Sequence, residues 1–248
     1  MRGLLDDMLT QGIIEPAEGP WASPIVLVRK RDGTTRFCVD FRKVNEVTKK
    51  DAQPLPRIDD TIDTLHGAKW FSTLDLASGY WQVEVEPSDK EKTAFTTPFG
   101  LFQFCVMPFG LCNAPGTFQR LMERVLAGLH WTSCLVYIDD IIIFSQTMQE
   151  HLHHLRDVFT RLRDANLKIK PAKCHLLQKS VDYLGHTISC EGVRANLAKI
   201  QCISAWKTPT DSKELKRFLG LASYYRRFVK KFAQIASPLH RLIQAGRK

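Results

Sequence analysis

What this 248-residue sequence lacks narrows its class first. No run of about 18 apolar residues occurs, so nothing reads as a membrane-spanning helix. The opening stretch MRGLLDDMLT puts acids where a secretory leader would need basic and then apolar residues. Seven cysteines (Cys38, Cys105, Cys112, Cys134, Cys174, Cys190 and Cys202) form an odd, scattered set without a Cys-x-x-Cys pair. That suits reduced thiols in an intracellular compartment better than a disulfide framework. No internal repeat, low-complexity tract or long linker interrupts the chain, so contiguous subdomains are expected. Acids are scarce at one end. From Arg194 onward 13 Lys and Arg face only Asp211 and Glu214, a net of +11 in a chain of +9 overall. A solvated helical face would account for such a tail, but the aromatics interleaved in YYRRFVKKF favour nucleic acid, since phosphates attract Lys and Arg while bases pack on rings.

A 44% hydrophobic content is enough to bury one sizeable core or several smaller ones. Leu4, Leu5, Met8 and Leu9 predict a short opening helix with Gly12 as its stop. IVLVRK and RFCVD read as two strands about an Asp-Gly turn, flanked by Lys30, Arg31 and Arg36. Ile58, Ile62 and Leu65 mark a helix ending near Gly67, and WFSTLD follows as a strand. YWQVEVE alternates apolar and polar residues as a half-buried strand does, and KTAFTT and LFQFCV continue as shorter strands. Asn113 is expected to cap a helix with Phe118, Leu121, Met122, Val125, Leu126 and Leu129 on one face. A second amphipathic helix carries Leu152, Leu155, Val158, Phe159 and Leu162, and the pattern from Asn196 onward is helical.

SCLVYIDDIIIF carries the most information: two apolar β-rich arms leave Asp139 and Asp140 at or beside a hairpin tip. Aspartates suit turns, so the pair alone says little. A third carboxylate changes that. Asp75 ends the strand WFSTLD, where a neighbouring strand would bring it beside the tip, and three clustered acids are costly without cations. Hard oxygen ligands suit magnesium, which keeps most of its waters and binds through carboxylates and substrate phosphates. Two such ions support phosphoryl transfer. Nucleases and phosphatases use the same ions, so the carboxylates alone do not choose the reaction.

YIDD at 137–140, LDLASGY at 74–80, MPFGLCNAPGTFQ at 107–119 and YLGHTIS at 183–189 together resemble reverse transcriptases of gypsy-class long-terminal-repeat retrotransposons and, more distantly, retroviruses. SPIVLVRKRDGTTRFCVDFRKVN and FLGLASYYRRFVKKFAQIASPLHRLI extend the resemblance over nearly the whole chain. It implies an α+β right-hand polymerase, with an antiparallel palm sheet packed on helices. Fingers are expected at 1–50 and 83–113, the palm at 51–82 and 114–191, and the thumb with the start of a connection at 192–248. It implies an RNA- and DNA-directed DNA polymerase that adds dNTPs to a primer on an RNA or DNA template, using two Mg2+ ions or Mn2+ in their place. Asp75, Asp139 and Asp140 match the catalytic metal ligands. Lys30 and Arg36 match triphosphate-binding residues, and Tyr80 matches the residue under the sugar. Phe109 stands where retroviral enzymes carry glutamine, as is usual for the gypsy class, and is expected to pack against the nucleotide without hydrogen-bonding it. Tyr137, Ile138, Leu184 and Gly185 match primer or template contacts, the last two as the primer grip. The family's setting implies a cytoplasmic location in a virus-like particle, or a nuclear one.

The chain starts at the first fingers helix and stops where family polyproteins lead toward ribonuclease H, so protease, ribonuclease H and integrase are expected to be absent. The alternative is a non-catalytic nucleic-acid-binding relic. His151, His153 and His154 invite a zinc reading, as does Cys174 beside His175, but no second ligand cluster has suitable spacing and the histidine-bearing helix is read as solvated. Cys38, Cys105 and Cys134 are expected in the core.

Overall fold

The computed structural model describes residues 1–29, 33 and 35–244, with Thr35, Arg36 and Gln244 by backbone alone. The N-terminal part holds α1 (Arg2–Thr10), β1 (Ile14–Pro16), β2 (Ile25–Arg29), β3 (Thr35–Val39) and α2 (Arg42–Val47). Strands β2 and β3 pair antiparallel from Ile25↔Val39 to Arg29↔Thr35, the expected hairpin. It projects from the body, and Val26, Leu27 and Val28 are 44–47% exposed. Next come α3 (Ile58–Thr64), β4 (Trp70–Asp75), β5 (Phe95–Thr97) and β6 (Gly100–Phe104). The sheet β1-β6-β5 buries Ile14, Phe95 and Phe104 with Leu5 of α1 and Phe41, the core of this end.

The centre is built from α4 (Ala114–Val125), β7 (Cys134–Tyr137), β8 (Asp140–Ser145), α5 (Met148–Asp164) and β9 (His175–Gln178), giving a four-stranded sheet in the order β7-β8-β4-β9. Both faces are covered, which is why β8 reads as an unbroken apolar run. Ile141 and Ile143 turn to one side with Leu74 and Val136, against Phe118, Met122, Leu155 and Val158 of the helices. Ile142 turns to the other with Phe71 and Leu135, against Val181, Tyr183 and Ile188. That second cover is the sheet of β10 (Ser180–Tyr183), β11 (His186–Ser189) and β12 (Gly192–Ala195), and α6 (Leu197–Ser204), α7 (Ser212–Tyr224) and α8 (Phe232–Gln244) complete the fold. Among the described residues no helix is long and apolar enough to cross a membrane.

Four expectations change. Residues 80–86 form no strand: Ser78 is left-handed (φ 52°) and Gly79–Gln82 coils into a 3-10 turn. Gln82 there is not a solvent-facing strand residue, since its amide nitrogen donates to Ala77 O and Lys168 O while its oxygen accepts from Lys168 N. Asn113 precedes α4 but does not cap it, because its side chain is drawn to the preceding connector, accepting from Asp51 N and donating to Lys49 O. Of the three strand cysteines only Cys134 is buried; Cys38 and Cys105 are half-exposed, and Cys105 Sγ donates to Glu15.

The histidine-bearing helix is not wholly solvated either. His151 is fully buried, its Nε2 2.7 Å from Ser72 Oγ and its Nδ1 2.5 Å from Ser145 Oγ, so one ring joins α5 to both central strands. Burial, then the neighbouring His154, holds its pKa down at about 4. The unfolded chain therefore takes up this proton as pH falls through 6.5, while the folded chain does so only near 4. Stability contributed by neutral His151 is full above pH 6.5 and lost as pH falls to about 4. We expect His151→Ala to cost about 2–4 kcal/mol at neutral pH by taking a partner from two buried hydroxyls, of which Ser72 keeps its bond from Leu177 N, and by leaving a cavity. Urea unfolding from pH 7.5 to 4.5 should show the gap between wild type and variant narrowing; a constant gap would rule out the titration.

Candidate functional site

The β4–β8 pairing runs from Trp70↔Ser145 to Asp75↔Asp140, so the antiparallel register itself sets these two carboxylates side by side on one face of the sheet end. Asp139 belongs to the turn between β7 and β8, where Ile138 takes a left-handed φ of 57°. That costly conformation for a β-branched residue is held from below. Gln119 of α4, fully buried, accepts from Ile138 N at 2.8 Å and donates to Glu123 at 2.9 Å. Being adjacent, Asp139 and Asp140 face different ways. Asp140 joins Asp75, Lys173, Asp182 and Leu184 in lining a cleft of about 360 Å³. Asp139 faces Gly79, where an added Cβ would lie 3.2 Å from Asp139 Cβ and 3.5 Å from Phe118 Cζ. A methyl group there would make Asp139 give by a few tenths of an ångström.

Lys173 is the residue the sequence reading missed. Its Nζ lies 2.8 Å from Asp75 Oδ2, and its proton is held more tightly by that bond and by the charges of Asp75, Asp139 and Asp140. All three acids thus act on one point, occupied by an ammonium. Among the described residues no three His, Cys, Asp or Glu side chains sit close enough together to hold a metal ion as they stand. Asp140 is pushed up to about 6 by burial, then by Asp139 and Asp75, with Lys173 opposing. The residue as a whole is nonetheless exposed, and its two like-charged neighbours oppose ionisation even where water reaches it. A lysine in a loop shows no pattern in sequence; only the packing of 170–173 against β4, through Lys170 N to Asp75 O at 2.8 Å, puts it there.

Tyr80, half-buried, packs against Phe109 (5.0 Å between ring centroids) and edge-on against Phe118 (5.6 Å). Its hydroxyl is pushed up by burial and then by the charge of Asp139. Phe109 is 45% exposed, on a loop gripped by Asn45, which donates to Gly110 O and accepts from Cys112 N, both at 2.8 Å. Leu184 and Gly185, both left-handed at φ 45° and 75°, make the tight turn between β10 and β11 beside Asp140. Tyr137 pairs with Asp140 at the hairpin end. Lys30 lies outside the described residues, and of Arg36 only the backbone, paired with Val28, is described.

The family model for the reverse transcriptase (RNA-dependent DNA polymerase) matches residues 28–188. The chain is 42% identical over 240 residues to the retrovirus-related Pol polyprotein from transposon 297 of Drosophila melanogaster, covering 95% of this chain and 23% of that protein. It is 40% identical over 238 residues to the Pol polyprotein from transposon gypsy of the same organism, covering 94% and 23%. The chain thus spans about a quarter of the length of these curated relatives. Two solved structures share its fold: the foamy viral protease-reverse transcriptase in complex with double-stranded DNA (TM-score 0.92, 30% identity, 99% of this chain and 43% of that one) and with an RNA/DNA hybrid (0.88, 29%, 100% and 33%). The α+β right-hand architecture expected from sequence stands. With a family model over most of its length and polyprotein relatives at 40% identity or more, this chain belongs to the reverse transcriptase family.

Proposed function

We propose that this chain is an RNA- and DNA-directed DNA polymerase that adds dNTPs to a primer 3′-hydroxyl by phosphoryl transfer assisted by two divalent ions. The observation that carries this reading is the grouping of Asp75, Asp139 and Asp140 at the end of the central sheet, Asp75 paired with Asp140 across β4 and β8 and Asp139 next to it in the hairpin turn. Reverse transcriptases generally work with divalent metal ions, and the donors here fit them: hard carboxylate oxygens, among which burial and then the charges of Asp139 and Asp75 raise Asp140 to about 6. Asp75 and Asp139 would hold the ions, with Asp140 as the third acid and Mg2+ or Mn2+ as the metal. Such ions, when bound, activate the attacking hydroxyl and stabilise the leaving pyrophosphate.

The chain's own groups do the rest. Tyr80 and Phe109 form an aromatic wall for the nucleotide, and the basic residues Lys30 and Arg36 supply positive charge for its triphosphate. Tyr137, Ile138, Leu184 and Gly185 lie where the primer end would meet the carboxylates. Residues 1–50 and 83–113 act as fingers, 51–82 and 114–191 as palm, and 192–248 as the basic thumb that holds template and primer by their backbones. The foamy viral relatives were solved with double-stranded DNA and with an RNA/DNA hybrid, which supports a nucleic-acid partner of that kind. Primer extension on RNA and DNA templates with Mg2+ or Mn2+ tests the reading; binding without extension under every condition would favour the non-catalytic relic.

Two further results are expected. Gly79→Ala should slow nucleotide addition about tenfold at nearly unchanged melting temperature, because the new methyl group must displace Asp139 by a few tenths of an ångström. Wild-type rates in single-turnover assays would show that Asp139 tolerates the shift. Truncation after Ala195, which spares β12 and its pairing with β11, should weaken primer–template binding and flatten its salt dependence. An unchanged slope of log affinity against log salt would mean that the basic helices are only a solvated face.

A further inference from the structure

The turn at Leu184 and Gly185 is an unusual thing to leave at a sheet end. Leu184 has a branched side chain and a left-handed φ of 45°, a conformation that persists only where surroundings impose it. Besides a backbone bond from Asn196 N to Gly185 O at 3.2 Å, those surroundings come in large part from 40 residues further along the chain. Tyr224 Oη donates to Leu184 O at 2.5 Å and Tyr225 Oη donates to Gly185 O at 3.1 Å, so two consecutive carbonyls are held by two consecutive hydroxyls from the end of α7. Gly185 is needed for this approach, since a Cβ there would lie 3.0 Å from Tyr225 Oη. His186, 2% exposed, is packed between the rings of Tyr224, Tyr225 and Phe228 at 5.3–5.6 Å, and its Nδ1 donates to Leu184 O at 2.8 Å. Arg227 pins the same corner to α3, 2.7 Å from Asp63 and 3.6 Å from Asp59.

We propose that Tyr224 and Tyr225 are positioning residues for the primer 3′ end: they fix the Leu184–Gly185 turn from the basic helical region, so that the seating of those helices sets where the primer terminus meets Asp75 and Asp139. The proposal rests on the polymerase reading above. It also predicts that a helix seated wrongly releases the turn without altering any carboxylate.

The substitutions Tyr224→Phe and Tyr225→Phe, singly and together, keep the rings against His186 and remove only the hydroxyls. In the full chain without nucleic acid, amide exchange across residues 183–187 should rise about tenfold in the double variant. In pre-steady-state addition of one nucleotide at saturating primer–template and dNTP, the burst rate should fall about tenfold while burst amplitude and primer–template affinity stay within about twofold. Unchanged exchange and burst rate would overturn the proposal. So would a reduced amplitude at the wild-type rate, because a merely structural role lowers the active fraction and not the speed of the molecules that remain. If the double variant fails to fold, the single variants are read in the same way. A wild-type chain that extends no primer refutes the polymerase reading itself, whereas a wild type that extends, with variants equal to it, sinks this proposal alone.

Discussion

Asp139→Asn is expected to remove nearly all nucleotide addition, by at least about 10²-fold, while the protein folds and binds primer–template as before. The amide keeps the shape that fits beside Gly79 and Phe118 but loses the charge that a divalent ion requires. A hundredfold loss corresponds to about 2.7 kcal/mol of transition-state stabilisation. The turn should survive, because it is held by Gln119 through Ile138 N and not by the Asp139 side chain. Removing the charge also relieves Asp140, whose pKa is raised in part by Asp139, so the metal-free variant should titrate Asp140 below the wild-type value of about 6. Extension assays with both metals, a melting curve and a carboxylate NMR titration check the three parts. Near-normal extension by the variant would refute the metal assignment.

Tyr80→Ala, or Tyr80→Val, is expected to raise the efficiency of ribonucleotide use relative to deoxyribonucleotide use by about tenfold, equal to about 1.4 kcal/mol of discrimination. Tyr80 follows Asp75 by five residues through a 3-10 turn, and its ring is wedged between Phe109 and Phe118. A triphosphate bound at Asp75 would bring its sugar to that ring. A deoxyribose fits against it, whereas a 2′-hydroxyl collides and loses water without gaining a partner. The same packing makes Tyr80 part of the core, since Phe118 is fully buried, so the variants should also lose some stability. Selectivity is separated from that loss by comparing kcat/KM for both nucleotide types on one template. A variant that slows equally with both sugars, leaving their ratio unchanged, would make Tyr80 a support for the site rather than its selector.

Much of the scaffold was legible because it rests on local periodicity. The helices bearing Phe118, Met122, Leu155 and Val158, the hairpin of β7 and β8, and the strand ending at Asp75 were each visible as a repeat of apolar residues at the spacing of their element. The strand expected at 80–86 was misread because alternation is a two-residue signal that a coiled loop can share by chance. The outcome was decided by Ser78 turning left-handed and by Gln82 bonding to a segment 86 residues away. Asn113 was misread as a cap for a similar reason: its partners at Lys49 and Asp51 are distant in sequence.

By itself the sequence determined the family and most of the helices and strands around the three proposed acids, since these depend on residue types and short spacings. Only the tertiary structure decided their relations. The β4–β8 register puts Asp75 opposite Asp140; the absence of a side chain at Gly79 makes room for Asp139; the loop at 170–173 brings Lys173 into the field of all three. Burial of His151 between two serines and the grip of Tyr224 and Tyr225 on the Leu184–Gly185 turn belong to the same class. The physical reason is common to them: each depends on which segments the folded chain brings into contact, most of them tens of residues apart, and a sequence records what a residue is but not what the folded chain brings against it.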